Sequence, residues 1–271
     1  MTAAAPLAPP ARAGGSLFAS VTAVTGRNLR KIQRTPQIVI MATVQSIAFL
    51  LIFRYVFGGA IPTGGLSYVD YMVPGLLTVA LLFSGMGAAV AVADDLTHGV
   101  FDRLRSLPIP RSAVVIARVL ADTALITWCL ILTTAVAFAI GFRIHGGAGD
   151  ALAAFGLCVL FGFAFIWVFV TLGLYAGNAQ AAQGLGFLVL PLSFASSAYV
   201  PVATMPGWLQ GFAAHQPVTV MINTIRCLTQ GSQAEALLGH STGYYLLRAL
   251  LWSAGIIAVF APLAFARYRR R

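Results

Sequence analysis

Few side chains in this sequence are equipped for chemistry. Among 271 residues there are seven carboxylates, four histidines and three cysteines, and Lys31 is the single lysine beside sixteen arginines. Metal or nucleophilic catalysis needs several of these groups converging on one point. Here Glu235 is the sole glutamate, and His98, His145, His215 and His240 stand in different connections. Cys129, Cys158 and Cys227 form no CxxC pair, and no HExxH or GxSxG occurs. Lys31 has no GxxxxGK[ST] setting, so the chain has no usual loop for cradling a nucleotide phosphate. One pair of ionisable residues does have a useful spacing: Arg118 and Asp122, four apart, can meet on one helix face. An ionisable group in an apolar segment suggests a transport pathway by default. This pair sits near a segment end, however, where a structural ion pair or snorkelling is the simpler account. No carboxylate falls near the middle of an apolar run, where a proton-coupled carrier would want one.

The elements that must position these groups are membrane helices. The chain is 59% hydrophobic and 9% charged, with a mean hydropathy of +0.87, whereas soluble domains carry about 25% charged residues. A span takes ~20 apolar residues, which predicts an all-α membrane protein of six transmembrane helices and leaves no room for a separate soluble catalytic domain. The runs fall at residues 37–57, 72–93, 114–142, 151–177, 181–200 and 244–265, together forming one six-span domain over 36–271. Gly85 and Gly87 in the second run permit close helix approach. Residues 1–15, rich in Ala and Pro and without the apolar stretch of a secretory signal, read as a disordered cytoplasmic tail. Residues 16–35 read as an amphipathic interfacial helix, with Leu17, Phe18, Val21, Val24, Leu29 and Ile32 on one side and Arg27, Arg30, Lys31 and Arg34 on the other.

The formal charge of +10 comes from short clusters bracketing apolar runs, which fits membrane orientation and not a nucleic-acid face. With a cytoplasmic amino terminus, that side receives Arg12, Arg27, Arg30, Lys31, Arg34, Arg103, Arg105, Arg111, Arg118, Arg267, Arg269, Arg270 and Arg271. The positive-inside rule then places both termini in the cytoplasm of a multi-pass plasma-membrane protein with an even number of spans.

Two connections carry pattern. The first, residues 94–111, places Val100, Phe101, Leu104 and Leu107 at helical spacing, with Asp102, Arg103 and Arg105 pointing elsewhere and Pro108 and Pro110 ending the helix. It predicts a short cytoplasmic helix whose apolar ridge docks on a partner or rests on lipid. The second, residues 201–243, is apolar for a loop, and Pro201, Pro206 and Pro217 cut it into pieces too short to cross. It predicts an extracytoplasmic re-entrant or interfacial hairpin, with Trp208 also suited to an aromatic-belt anchor.

Residues 94–122 contain Gly99, then Asp102-Arg103-Leu104-Arg105-Ser106-Leu107-Pro108, Arg111 and Arg118-Val119-Leu120-Ala121-Asp122. This stretch resembles the signature region of type-2 ABC exporter permeases, in their daunorubicin-resistance branch. Pro201, Met205-Pro206-Gly207-Trp208-Leu209-Gln210, His215-Gln216-Pro217-Val218 and Arg226 resemble the same family between its fifth and sixth spans. Asp94 and Asp95 stand where many members begin with glutamate. The resemblance implies a permease subunit that is not itself an enzyme and exports hydrophobic drugs, antibiotics or lipids. It also implies a second permease, identical or homologous, and two copies of an ABC ATPase, on which ATP and magnesium are expected; no cofactor is expected in this chain. The segment given the ATPase-coupling role is Asp95, Gly99, Val100, Phe101, Asp102, Arg103, Leu104, Arg105, Leu107 and Pro108, with the apolar ridge in a groove of the ATPase.

A path for a loosely specified hydrophobic solute needs rings and soft side chains, which Phe83, Met86, Phe187 and Phe194 offer; each also fits an ordinary lipid-facing place. A secondary carrier and a membrane enzyme are the readings of other classes.

Overall fold

The computed structural model describes residues 16–58, 65–106 and 109–270, which are helical with no strand among them. The tail 1–15, Gly59 and Gly64, Leu107 and Pro108, and the terminal Arg271 lie outside the described residues, as do the side chains of Ile32 and Arg105.

The amphipathic segment forms α1 (Leu17–Arg34), and Ser16 Oγ accepts the Ala19 amide at its start. Its apolar side is divided: Val21 and Val24 are buried against Ala113 and Ala117, while Leu17 and Phe18 stay exposed. A helix expected to lie on lipid is thus partly clamped to protein. α2 (Pro36–Val56) follows, with Pro36 in the first turn, where its missing N–H costs nothing. α3 (Tyr68–Thr97) is capped by Ser67, whose Oγ accepts from the Asp70 amide. Gly99 at φ 65° turns the chain into α4 (Val100–Arg105), a left-handed conformation that glycine adopts without steric penalty. α5 (Arg111–Ala139) and α6 (Ala148–Ala176) follow, and α12 (Thr242–Arg270) closes the chain. α2, α3, α5, α6 and α12 are the described helices long and apolar enough to cross a membrane.

The expected fifth run, 181–200, is not one helix. α7 (Ala179–Gly186) stops, and α8 (Val189–Phe194) begins after a two-residue break. Pro191 explains the restart: an interior proline loses one hydrogen bond and clashes with the carbonyl four residues back. Beginning anew at Val189 puts Pro191 in a first turn, where neither penalty applies.

After a 3₁₀ turn (Val202–Thr204), residues 201–243 form α9 (Gly207–His215), α10 (Pro217–Gln230) and α11 (Ser232–Leu238). α10 is buried from Val218 to Gln230 and packs on α3, α6 and α12. Gln216, Thr219, Asn223 and Arg226 recur along it at helical spacing, and all four face the frayed end of α8. Gln216 Nε2 donates to the carbonyls of Leu192 and Ala195, and Thr219 Oγ1 accepts the Ser197 amide. Asn223 Oδ1 accepts from Ser197 Oγ, and Arg226 Nη2 donates to the Ser197 carbonyl at 2.6 Å. One helix thereby satisfies backbone groups that the broken segment leaves open.

The centre is the crossing of α3 and α6. A Cβ at Gly173 would lie 2.5 Å from the Ala89 carbonyl oxygen and 2.9 Å from Val92 Cβ, so backbone would have to move. Gly85 plays the part expected of it, against the ring of Phe169, whereas a Cβ at Gly87 would meet nothing within 4 Å. Gly173→Ala should therefore cost about 1–3 kcal/mol by overpacking and lower the thermal midpoint in detergent. Gly87→Ala should leave that midpoint unchanged, and equal loss in both would refute the packing account.

Candidate functional site

The last turns of α3, the first turns of α5 and the end of α1 meet beside α4. Asp95, buried on α3, is the junction. Its Oδ1 accepts from Lys31 Nζ of α1 at 3.0 Å, and its Oδ2 accepts from Arg118 Nη1 of α5 at 2.9 Å. Arg118 Nε donates to Asp122 Oδ2 at 2.7 Å, one turn along the same helix. The helical spacing foretold the Arg118–Asp122 pair; the partners contributed by Asp95 and Lys31 come from 23 and 64 residues' separation. The two arms of the junction differ. Arg118 is only 12% exposed, so its pair with Asp95 is shielded from solvent, while Lys31 is 62% exposed and its pair is screened. Asp94, next to Asp95, points outward, and its carboxylate lies 3.3 Å from His98 Nδ1.

α4 does not present its apolar ridge to the outside. Phe101 and Leu104 are buried in the core, and the Phe101 ring meets Tyr268 of α12 edge-on at 5.4 Å between centroids. Val100 is half-buried, while Asp102 and Arg103 are exposed. The expectation that Val100, Phe101 and Leu104 fill a groove on a partner is corrected accordingly: six residues cannot hold a helix alone, and this one is held by packing its apolar side on its own bundle. What it offers outward is charge.

Above the ion-paired junction lies a cavity of about 750 Å³ between α1, α2, α3, α5, α6 and α7. Lys31, Asp94, Arg118 and Asp122 line one end; Phe83, Met41, Leu125, Ile126 and Ile166 supply apolar wall, and Gln45, Ser84 and Gln183 supply neutral polar groups. Of the four path residues expected, only Phe83 lines it, stacked on Phe49 at 6.2 Å. Met86 packs toward Gly186. Phe187 and Phe194 are exposed elsewhere, Phe194 stacking on Tyr199, which in turn stacks on Phe53 of α2. Gln45 and Gln183 escaped sequence reasoning; an amide in the midst of an apolar run was the available signal. Among the described residues no three His, Cys, Asp or Glu side chains gather as metal ligands would.

The arrangement can bind an amphipathic solute and can transmit force, because a push on α4 reaches α3 through one turn, α12 through Phe101 and α5 through Asp95. Asp95→Asn should leave Arg118 with a single anionic partner and cost about 3 kcal/mol, at the lower end for a broken buried pair. Lys31→Met should cost under about 1 kcal/mol. Denaturation of both variants in detergent tests the ranking, and a Lys31→Met loss as large as that of Asp95→Asn contradicts it.

A sequence model described as ABC-2 type transporter matches residues 19–228. The chain is 31% identical over 247 residues to the daunorubicin resistance ABC transporter permease protein DrrB1 of Streptomyces coeruleorubidus, covering 90% of this chain and 84% of that one. It is 32% identical over 266 residues to the probable doxorubicin resistance ABC transporter permease protein DrrC of Mycobacterium tuberculosis, covering 94% and 90%. A putative transport permease, ycf38, of Pyropia yezoensis is 23% identical over 226 residues, covering 79% and 75%.

Proposed function

The chain belongs to the ABC-2 type transporter family, and on that premise we propose that it is the permease subunit of an ATP-driven exporter of hydrophobic drugs, antibiotics or lipids. Two ABC ATPase subunits, binding ATP and magnesium, supply the force, and a second permease, the same chain or a homologue, completes the path. The observation that carries this reading is α4, a short helix with an exposed charged face, anchored by its buried face to α12 and joined to α3 beside the Asp95 junction.

The α4 end is the cytoplasmic end in this reading. Arg103, Arg111, Arg267, Arg269 and Arg270 lie there, and an Arg111 Nη1 contact to the Arg269 carbonyl ties two of them together. Both termini are then inside, with α7, α8 and the residues up to Val200 making one broken pass. α10, at 14 residues, spans about 21 Å and falls short of a ~30 Å hydrocarbon core; its buried polar stripe suits a re-entrant position together with α9.

Asp95, Gly99, Val100, Phe101, Asp102, Arg103, Leu104, Arg105, Leu107 and Pro108 keep the coupling role, divided by their surroundings. Phe101 and Leu104 transmit within the permease, and Asp102 and Arg103 meet the ATPase. The relatives' names carry daunorubicin and doxorubicin resistance, and the 750 Å³ cavity with Phe83 and its amide-bearing walls is the place a drug of that kind would enter.

Arg103→Glu in the assembled transporter should cut solute-stimulated ATP hydrolysis about tenfold, the loss of ~1.4 kcal/mol of coupling, with the thermal midpoint unchanged. Unaltered stimulation would remove α4 from the coupling role. Uptake driven by a proton gradient in the isolated chain, abolished by Asp122→Asn, would support a secondary carrier instead.

A further inference from the structure

We propose that the end of the bundle remote from α4 holds a binding site for a phosphate-bearing anion, gripped by Arg248 beside the buried charge of Arg226. A second cavity, of about 470 Å³, lies there, within the ~300–1,000 Å³ usual for small-molecule sites. Its walls include Arg226, Arg248, His215, His240 and three tyrosines, and no Asp or Glu is among the described lining residues.

The two arginines play different parts. Arg226 is wholly buried, and its donors are already engaged: Nε to the Tyr71 carbonyl at 2.9 Å, Nη1 to Ser197 Oγ and Asn223 Oδ1 at 3.0 and 3.1 Å, and Nη2 to the Ser197 carbonyl. Its guanidinium carbon lies 3.8 Å from the centre of the Tyr71 ring. Every one of these partners is neutral, so four of the five N–H groups have acceptors while the charge has no counter-ion among the described residues. An unneutralised charge in a dry site projects a strong potential into the adjoining space. Arg248 has its charge over the Tyr244 ring, 4.3 Å from the centre, and among the described residues its guanidinium makes no hydrogen bond or ion pair. It is a set of donors without acceptors beside a fixed positive field.

Glu235, the one carboxylate of the α10–α12 connection, does not line the cavity; it accepts from the Thr242 amide and hydroxyl. A planar guanidinium matches the tetrahedral oxygens of phosphate bidentately. The rest of the wall, Pro201, Val202, Leu237 and Leu238, suits an apolar body attached to that phosphate. A phospholipid headgroup and a soluble phosphate ester share this chemistry.

The proposal is independent of the export reading, since binding is measured without nucleotide or ATPase. The full chain is placed in nanodiscs of phosphatidylcholine with or without phosphatidylglycerol, and retained lipid is counted by native mass spectrometry, with glycerol phosphate as soluble competitor. The wild type should retain phosphatidylglycerol in preference to phosphatidylcholine, and Arg248→Gln should lower that retention about tenfold at an unchanged thermal midpoint, with Arg248→Lys restoring part of it. Displacement by glycerol phosphate would assign a soluble ester as occupant; retention without displacement would assign the lipid headgroup. Because α1 also carries cations, Arg30→Gln serves as control. Equal retention in wild type and Arg248→Gln, an equal loss in Arg30→Gln, or no preference for either phosphate probe overturns the proposal.

Discussion

A carboxylate withdrawn from water must find its cations inside the protein, and Asp95 is where that requirement organises this chain. Its two oxygens take one cation each from two different helices, so α1, α3 and α5 converge on a single side chain. The strengths are unequal by construction. The Arg118 arm is nearly dry and is reinforced by Asp122; parting it would strand a charge, at several kcal/mol. The Lys31 arm is in contact with solvent and yields for under about 1 kcal/mol. α3 and α5 therefore behave as one body at this end, and α1 is held to α5 mainly by Val21 and Val24 against Ala113 and Ala117, with the Lys31 pair a minor addition.

α4 is fastened by the opposite kind of force. Asp102 and Arg103 face away while Phe101 and Leu104 face in, so apolar burial, with the Phe101–Tyr268 ring contact, joins it to α12 and the core. Non-directional apolar contact permits small sliding and tilting, whereas the two directed bonds of Arg118, one to Asp95 and one to Asp122, do not. A partner gripping Asp102 and Arg103 would thus move α4 over α12 while α3 and α5 respond together. The same geometry explains why Gly99 precedes α4: a sharp left-handed step is what turns a helix continuous with α3 onto a new axis four residues after Asp95.

Much of this was legible beforehand, for identifiable reasons. Apolar runs above span length located α2, α3, α5, α6 and α12, because lipid tolerates little else, and i,i+4 spacing located Arg118–Asp122. Glycine and a following ridge located α4. The direction that ridge faces was not legible: a four-residue apolar stripe fits a partner's groove, a lipid surface or the chain's own core equally well, and periodicity reports only that it is buried somewhere. The Lys31–Asp95 bond was hidden by its sequence separation, although a single lysine among sixteen arginines was a visible oddity. The fifth run is apolar enough to read as one span, and Gly184, Gly186 and Pro191 within it are the signals for the break that the structure shows.

The broken fifth run and the buried Arg226 are two sides of one fact. Ending a helix early leaves carbonyls and amides without intrahelical partners, and in an apolar setting each must be met by protein. At Leu192, Ala195 and Ser197 they are met by Gln216, Thr219 and Arg226, on one face of α10, where Asn223 also accepts the Ser197 hydroxyl. Arginine is the efficient choice at the last of these positions because one side chain brings five donors in a fixed fork, reaching Tyr71 of α3 and Ser197 together. That economy has an electrostatic residue. Neutral acceptors engage the fork but leave the positive charge standing, so repairing the backbone of the broken segment buries an unneutralised cation at Arg226, whereas the buried Arg118 has Asp95 and Asp122 against it.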